Sequence, residues 1–315
     1  MAVIYVSSAT NITDFIASAA VTPGDVLVLE DGVYNQVVVI NKSNLRIVTK
    51  GCQAIFNGGN ILASAFVLDG VAGVEIKGFK ILDYVSHGIF VSGGAANRIL
   101  DNSIKRVVGD GIRVSNSQAN LIWKNEIKEA FDGVELISGS IGNRVIENYA
   151  ANCRDDGFES FLPSDRNNTF TGNVSKDNGG NGLEIFGENN LVQCNVSKRN
   201  INAGLYIVAG TNIIAINNEI ESNSSDGILV SDNNCFIANN QVKSNGRIGI
   251  NVSGNNNIVQ NNIIAFNKNN GLTLQVTSST SFIFENEFVC NTPANIVNNG
   301  TNNNFLENEV KKCKR

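Results

Sequence analysis

The chain has 315 residues and a formal net charge of −5, and only 17% of its residues are charged. A dilute, slightly acidic composition offers no basic footprint for nucleic acid, and no run of about 18 apolar residues is available to span a membrane. The opening MAVIYVSS lacks the cationic and long apolar regions of a secretory signal peptide.

In chain order, residues 2–8 read as a first strand. Residues 11–20 place Ile12, Phe15, Ile16 and Ala19 at helical spacing, with Asn11 or Thr13 as the N-cap. Pro23-Gly24-Asp25 then turns the chain into the apolar run Val26–Leu29, followed by Asp31-Gly32-Val33-Tyr34. Residues 1–35 form a cap with its first strands, the short helix covering the open end of a repetitive core. Residues 36–82 are irregular. From about residue 83 to 310 one motif recurs, Gly-apolar-x-apolar, at Gly88, Gly111, Gly133, Gly157, Gly182, Gly204, Gly227, Gly249 and Gly271, with Asn295 in the last slot. Successive positions are 22 to 25 residues apart, the period of a solenoid. A charged tail, 311–315, ends the chain.

Each copy also carries Asn-x4-Asn. Asn102, Asn125, Asn148, Asn173, Asn195, Asn217, Asn239, Asn262, Asn286 and Asn308 align in one column, and Asn178, Asn200, Asn223, Asn245, Asn267 and Asn291 in another. Three short apolar alternations lie between these turns, so one copy is a coil of three strands. Residues two past the first Asn, among them Ile99, Ile122, Val145, Ile214 and Phe236, are apolar and point inward. Strands this short pair in parallel with the coils before and after, and stacked Asn amides satisfy the turns. The expectation is a single all-β domain over 1–315, a right-handed parallel β-helix with one short capping helix.

The Gly-apolar-x-apolar and Asn-x4-Asn pattern resembles the right-handed parallel β-helix repeats of the pectin-lyase-like superfamily. That superfamily includes lyases, hydrolases, epimerases and non-catalytic phage and surface proteins, so the resemblance implies fold more than reaction. It implies an extracellular, cell-surface or virion setting. The entry segment, helix then Pro-Gly-Asp then Asp-Gly-Val-Tyr, resembles that of polysaccharide lyases. Cys153 to Glu159 resembles an alginate C5-epimerase segment, Asp-Gly-Phe-Asp-Pro-His, with Ser160 and Phe161 in place of its Pro-His.

The x of each motif faces outward. Coil by coil it is Phe90, Arg113, Glu135, Glu159, Glu184, Tyr206, Leu229, Asn251 and Thr273. The residue before the glycine adds Asp110, Asp132 and Asp156, with Arg154 and Asp155 behind. Stacked carboxylates repel, which raises at least one pKa, and Glu159 is expected to be the one kept protonated. Glu135, Glu159, Glu184 and Asp156 are therefore the candidate catalytic groups, at spacings that suit glycoside hydrolysis. Arg113, Asp132, Arg154, Phe161, Phe186, Tyr206 and the only histidine, His87, are candidate substrate contacts, the aromatic rings as sugar platforms. The same oxygens could hold Ca²⁺. The competing reading of this column is a solvated acidic ladder.

A polysaccharide or glycan is the expected partner, and the expected activity that of a glycoside hydrolase or polysaccharide lyase. The alternatives are a non-catalytic surface or virion spike, open to homo-oligomerisation, and a cytoplasmic interaction protein. The six cysteines, Cys52, Cys153, Cys194, Cys235, Cys290 and Cys313, have no metal-ligand spacing. Their places in the repeat predict free, mostly buried thiols.

Overall fold

The computed structural model describes residues 1–51 and 53–311. They fall into two compact units, Met1–Arg154 and Asp155–Arg315.

The first unit opens with the strand Val3–Val6 and the helix Ile12–Ala17. The helix is shorter than its sequence pattern because both ends are captured. Asn11 caps the start, its side chain accepting from the Asp14 N–H at 3.3 Å. Lys42 Nζ donates to the carbonyls of Ser18 and Val21 at 2.6 and 2.9 Å, just past the last turn. Ile12 and Ile16 are buried, whereas Ala19 is exposed.

Beyond the helix the chain makes three-strand coils, and every strand pairs in parallel with its counterparts one coil away. Ile89–Ser92, for example, pairs with Phe66–Asp69 on one side and Ile112–Ser115 on the other. Residues 36–82 lack regular sequence spacing yet supply strands in the same register, such as Val38–Ile40 against Phe66–Asp69 and Ala54–Asn57 against Gly32–Tyr34. Their interior adds an aromatic cluster to the aliphatic side chains. Tyr34 stacks on Phe56 with ring centroids 5.0 Å apart, and Phe66 and Phe79 complete the cluster. Larger side chains fill the core, so these coils need no strict repeat.

The second unit has the same construction. Its three parallel sheets begin with the strands Phe158–Ser160, Thr169–Thr171 and Val174–Lys176. Leu183, Ile185, Leu205, Ile207, Ile228, Val230, Ile250 and Val252 form one wall of its core.

Period-two alternation puts each motif glycine where the chain enters a strand. At Gly111 a Cβ would lie 2.3 Å from Ile127 Cγ2 and 2.7 Å from the Gly133 carbonyl. At Gly227 it would lie 2.4 Å from Val242 Cγ1 and 2.6 Å from the Gly249 carbonyl. Only glycine permits that approach of core and neighbouring coil.

The Asn columns are buried ladders. In the first unit Asn102 Nδ2 donates to Asn125 Oδ1 at 2.9 Å, and Asn125 to Asn148 at 3.0 Å. In the second, Asn200 donates to Asn223 at 3.0 Å and Asn223 to Asn245 at 3.1 Å. Two members of the sequence alignment are displaced by one residue. The ladder runs Asn195, Asn218, Asn240, Asn262, not through Asn217 and Asn239. Those two occupy the corner just before, with φ of 58° and 56°, a left-handed conformation Asn tolerates well. A one-residue slip exchanges the faces of a strand. Accordingly Ala215 and Ile237 are the buried residues of these coils, and Ile214 is exposed.

The cysteines also depart from expectation. Cys153 and Cys235 are buried thiols, Cys194 is an exposed one, and Cys290 is disulfide-bonded. Cys194 is exposed because it takes a left-handed corner, φ 54°, rather than an inward position. Cys52 and Cys313 lie outside the described residues.

Candidate functional site

The residue before each motif glycine lies three positions ahead of the outward x, and the turn between folds them together. Arg113 Nη1 lies 3.1 Å from Asp110 Oδ2, Asn181 Nδ2 donates to Glu184 Oε2 at 2.7 Å, and Asn270 Nδ2 donates to Thr273 Oγ1 at 3.3 Å. This i,i+3 contact builds one polar step per coil. Strand pairing then sets steps side by side within each unit, Arg113 opposite Glu135 in the first and Glu159, Glu184 and Tyr206 in register in the second.

These carboxylates are not the solvated ladder considered above. Asp110, Asp132, Glu135, Asp156 and Glu159 are between 2% and 7% exposed. They face away from the apolar core, yet neighbouring turns and side chains cover them.

In the first unit the cluster is His87, Asp110, Arg113, Asp132 and Glu135. Arg113 Nη1 sits between two carboxylates, 3.1 Å from Asp110 Oδ2 and 2.7 Å from Glu135 Oε2. The contact to Glu135 lacks hydrogen-bond geometry, and its Oε2 receives no hydrogen bond. His87 Nδ1 lies 3.3 Å from Asp110 Oδ2 and accepts from the Asp110 N–H at 3.2 Å. Burial, then the charge of Asp110, pushes Glu135 up to about 8. Burial also works to raise Asp110, but its contacts with His87, Glu135 and Arg113 hold it below the usual carboxylate range. At neutral pH this cluster therefore pairs an ionised Asp110 with a protonated Glu135. Arg154 is committed elsewhere in its unit. Its guanidinium lies 5.4 Å from the centre of the Phe131 ring and donates to the Val108 carbonyl.

In the second unit Asp156, Glu159 and Glu184 each bring a carboxylate oxygen within 4.8 Å of the others. Asp156 is pushed up to about 9, first by burial and then by its hydrogen bond and like charge with Glu184, against the opposing Asn181 N–H. Asp156 therefore keeps its proton at neutral pH. Beside them, an exposed Phe161 and a half-buried Phe186 form a tilted pair with centroids 5.9 Å apart. Phe186 is two residues past Glu184 on the same strand, and Phe161 two past Glu159, so both rings share the carboxylates' side of the sheet. Tyr206, opposite Glu184, is half-buried.

Sequence reasoning passed over two polar members. Asn181 orients both Asp156 and Glu184, and Asp226, buried, accepts from Asn251 Nδ2 at 2.9 Å. Both occupy the slot before a motif glycine, the same column that drew attention to Asp110 and Asp156. Asn181 was overlooked because an Asn-rich repeat hides one Asn with a different task.

Coils of parallel strands with this polar column define a β-helix. The chain belongs to the right-handed β-helix region family, whose model matches residues 64–215 and 187–310. Among solved structures it is similar to the mannuronan C-5 epimerase AlgE6 A-module of Azotobacter vinelandii, at 15% identity and a TM-score of 0.69, covering 96% of this chain and 95% of that one. It is similar to the catalytic domain of a GH87 α-1,3-glucanase in complex with tetrasaccharides, at 14% identity and a TM-score of 0.73, covering 99% and 68%. It is also similar to the Dettilon tailspike protein, at 14% identity and a TM-score of 0.68, covering 96% and 68%. At such identities the likeness is one of fold. No curated protein matches the sequence. Among the described residues no helix is long and apolar enough to cross a membrane.

Proposed function

We propose that this chain binds a polysaccharide and cleaves its glycosidic bonds by acid–base catalysis, with Asp156, Glu159 and Glu184 as the reacting groups. The observation that carries the reading is a carboxylic acid held protonated near neutral pH beside carboxylates and an aromatic pair. Asp156 takes the role first given to Glu159. It protonates the leaving oxygen as the glycosidic C–O bond breaks. A carboxylate of Glu184, oriented by Asn181, bonds to the anomeric carbon. Water then displaces that carboxylate, and its proton restores Asp156. With all three oxygens within 4.8 Å of one another and Asp156 hydrogen-bonded to Glu184, the site leaves no room for the water of an inverting glycosidase, whose carboxyls stand about 6.5–9.5 Å apart. Phe161 and Phe186 stack on sugar rings, and Tyr206 extends the same side. Arg113 and Arg154, engaged within the first unit, take no part.

The same three oxygens favour a second reading, a Ca²⁺ site. Calcium takes six to eight oxygens, so waters or substrate would complete it. The AlgE6 module, the glucanase and the tailspike support a carbohydrate partner by analogy of fold alone.

A panel of polysaccharides assayed for new reducing ends tests the proposal. D156N should lose kcat by about 10²–10⁴-fold, the usual worth of a positioned general acid. Replacing both Phe161 and Phe186 by Ala should raise KM instead. Full activity in D156N on a substrate the wild type cleaves would refute the assignment.

A further inference from the structure

We infer that the glycan is uncharged, a neutral polysaccharide rather than a polyuronate, and that its cleavage is hydrolytic. The inference rests on the polysaccharide reading above and narrows its substrate.

A polyuronate brings one carboxylate per sugar. To bind it, a protein sets cations where those carboxylates fall. To eliminate or epimerise it, a protein must also neutralise the carboxylate while a base removes the adjacent C–H proton. The two arginines suited to that task are already engaged. Arg113 is gripped by Asp110 and Glu135 at 3.1 and 2.7 Å. It cannot turn to a substrate carboxylate without abandoning two buried acids, one of which, at Glu135 Oε2, already lacks a hydrogen bond. Arg154 is held by the Phe131 ring and the Val108 carbonyl.

In the second unit the outward column continues Glu159, Glu184, Tyr206, Leu229, Asn251, Thr273. Its charged members are both acids, and beside them burial, then the hydrogen bond and charge of Glu184, make Asp156 keep its proton. Arg166 is exposed on the loop after Phe161. Lys176, Lys198 and Lys243 lie on strands of a different sheet, and Lys198 pairs there with Glu219 and Glu221 at 2.5 and 3.1 Å. Arg247 lies 3.8 Å from Asp226 three coils on from Glu159, so the wall beside the exposed Phe161 and half-buried Phe186 is acidic, which suits the apolar face and hydroxyls of a neutral sugar and repels a polyanion.

A polyuronate and its carboxyl-reduced form test this, because the backbone is the same and only the charge differs. Neutral glucans, mannans and xylans complete the panel. Binding is followed by affinity electrophoresis, and products as reducing ends and as unsaturated ends. The expected result is binding of a neutral or carboxyl-reduced chain at least about tenfold tighter than of the polyuronate. The gap should narrow as salt rises, and reducing ends should form without unsaturated ones. Equal or tighter binding of the polyuronate, or unsaturated products, would overturn the neutral-substrate inference while leaving a polysaccharide partner in place. Binding of no polysaccharide at all would overturn the underlying reading, and this one with it.

Discussion

Asp156→Asn is the most informative single change. The amide matches the protonated carboxyl in shape, can accept from the Asn181 N–H and can donate to Glu184, so it keeps the network while removing the titration. In the unfolded chain Asp156 loses its proton near 3.8, whereas in the fold it retains it to about 9. Between those values the folded state binds more protons than the unfolded state, so stability falls as pH rises through that window. At about 1.4 kcal/mol per pH unit the full displacement corresponds to roughly 7 kcal/mol. Relaxation of the surrounding turns and water reduces the value, so a loss of several kcal/mol is expected. Urea denaturation of wild type and D156N at about pH 5, 7 and 9 measures it directly. The wild-type midpoint should fall steadily, and the variant should fall less and be more stable at the alkaline end, its remaining slope being that of Glu135. Parallel curves would show that Asp156 carries no displaced proton, and the catalytic assignment would lose its basis.

Glu135→Gln should act in the same direction over a narrower range, since Glu135 titrates at about 8 instead of 4.5; a variant less stable than wild type at about pH 9 would contradict the buried protonated state. Asn223→Ala removes the acceptor for two Asn200 donors, each at 3.0 Å, and should cost about 2–4 kcal/mol in chemical denaturation; a loss under about 0.5 kcal/mol would mean the ladder is not what holds the coils. Alkylation followed by peptide mapping should label Cys194 in the native protein and leave Cys153 and Cys235 untouched until denaturation; burial pushes the Cys235 thiol up to about 12, which slows it further. If calcium occupies the Asp156–Glu159–Glu184 oxygens, millimolar Ca²⁺ should raise the melting temperature of the wild type and leave Glu159→Gln nearly unmoved; an equal rise in both would place any ion elsewhere.

The coil was legible in the chain because its constraints are local and periodic. Glycine must open each strand where a Cβ would strike the next coil, as at Gly111 and Gly227. Apolar residues must alternate, and Asn must stand at the turns. Such rules leave a fixed period, and from it follow the parallel pairing, the inward face and the column of Glu135, Glu159 and Glu184. Period reading failed where one residue type serves two adjacent positions. Asn217-Asn218 and Asn239-Asn240 each offer a left-handed corner and a ladder amide, and only stacking against Asn195 and Asn262 decides which is which. The state of the acids was beyond sequence for a related reason. Alternation says that Glu135 and Asp156 point away from the core, but not that the surrounding turns shut out water, and burial is the largest influence on both. Whether Arg113 is free for a substrate or locked between Asp110 and Glu135 likewise depends on distances of a few ångströms between residues 22 positions apart in the chain. Periodicity fixes which residues share a face; desolvation and pairing, set by the packed coils, decide which of them hold a proton.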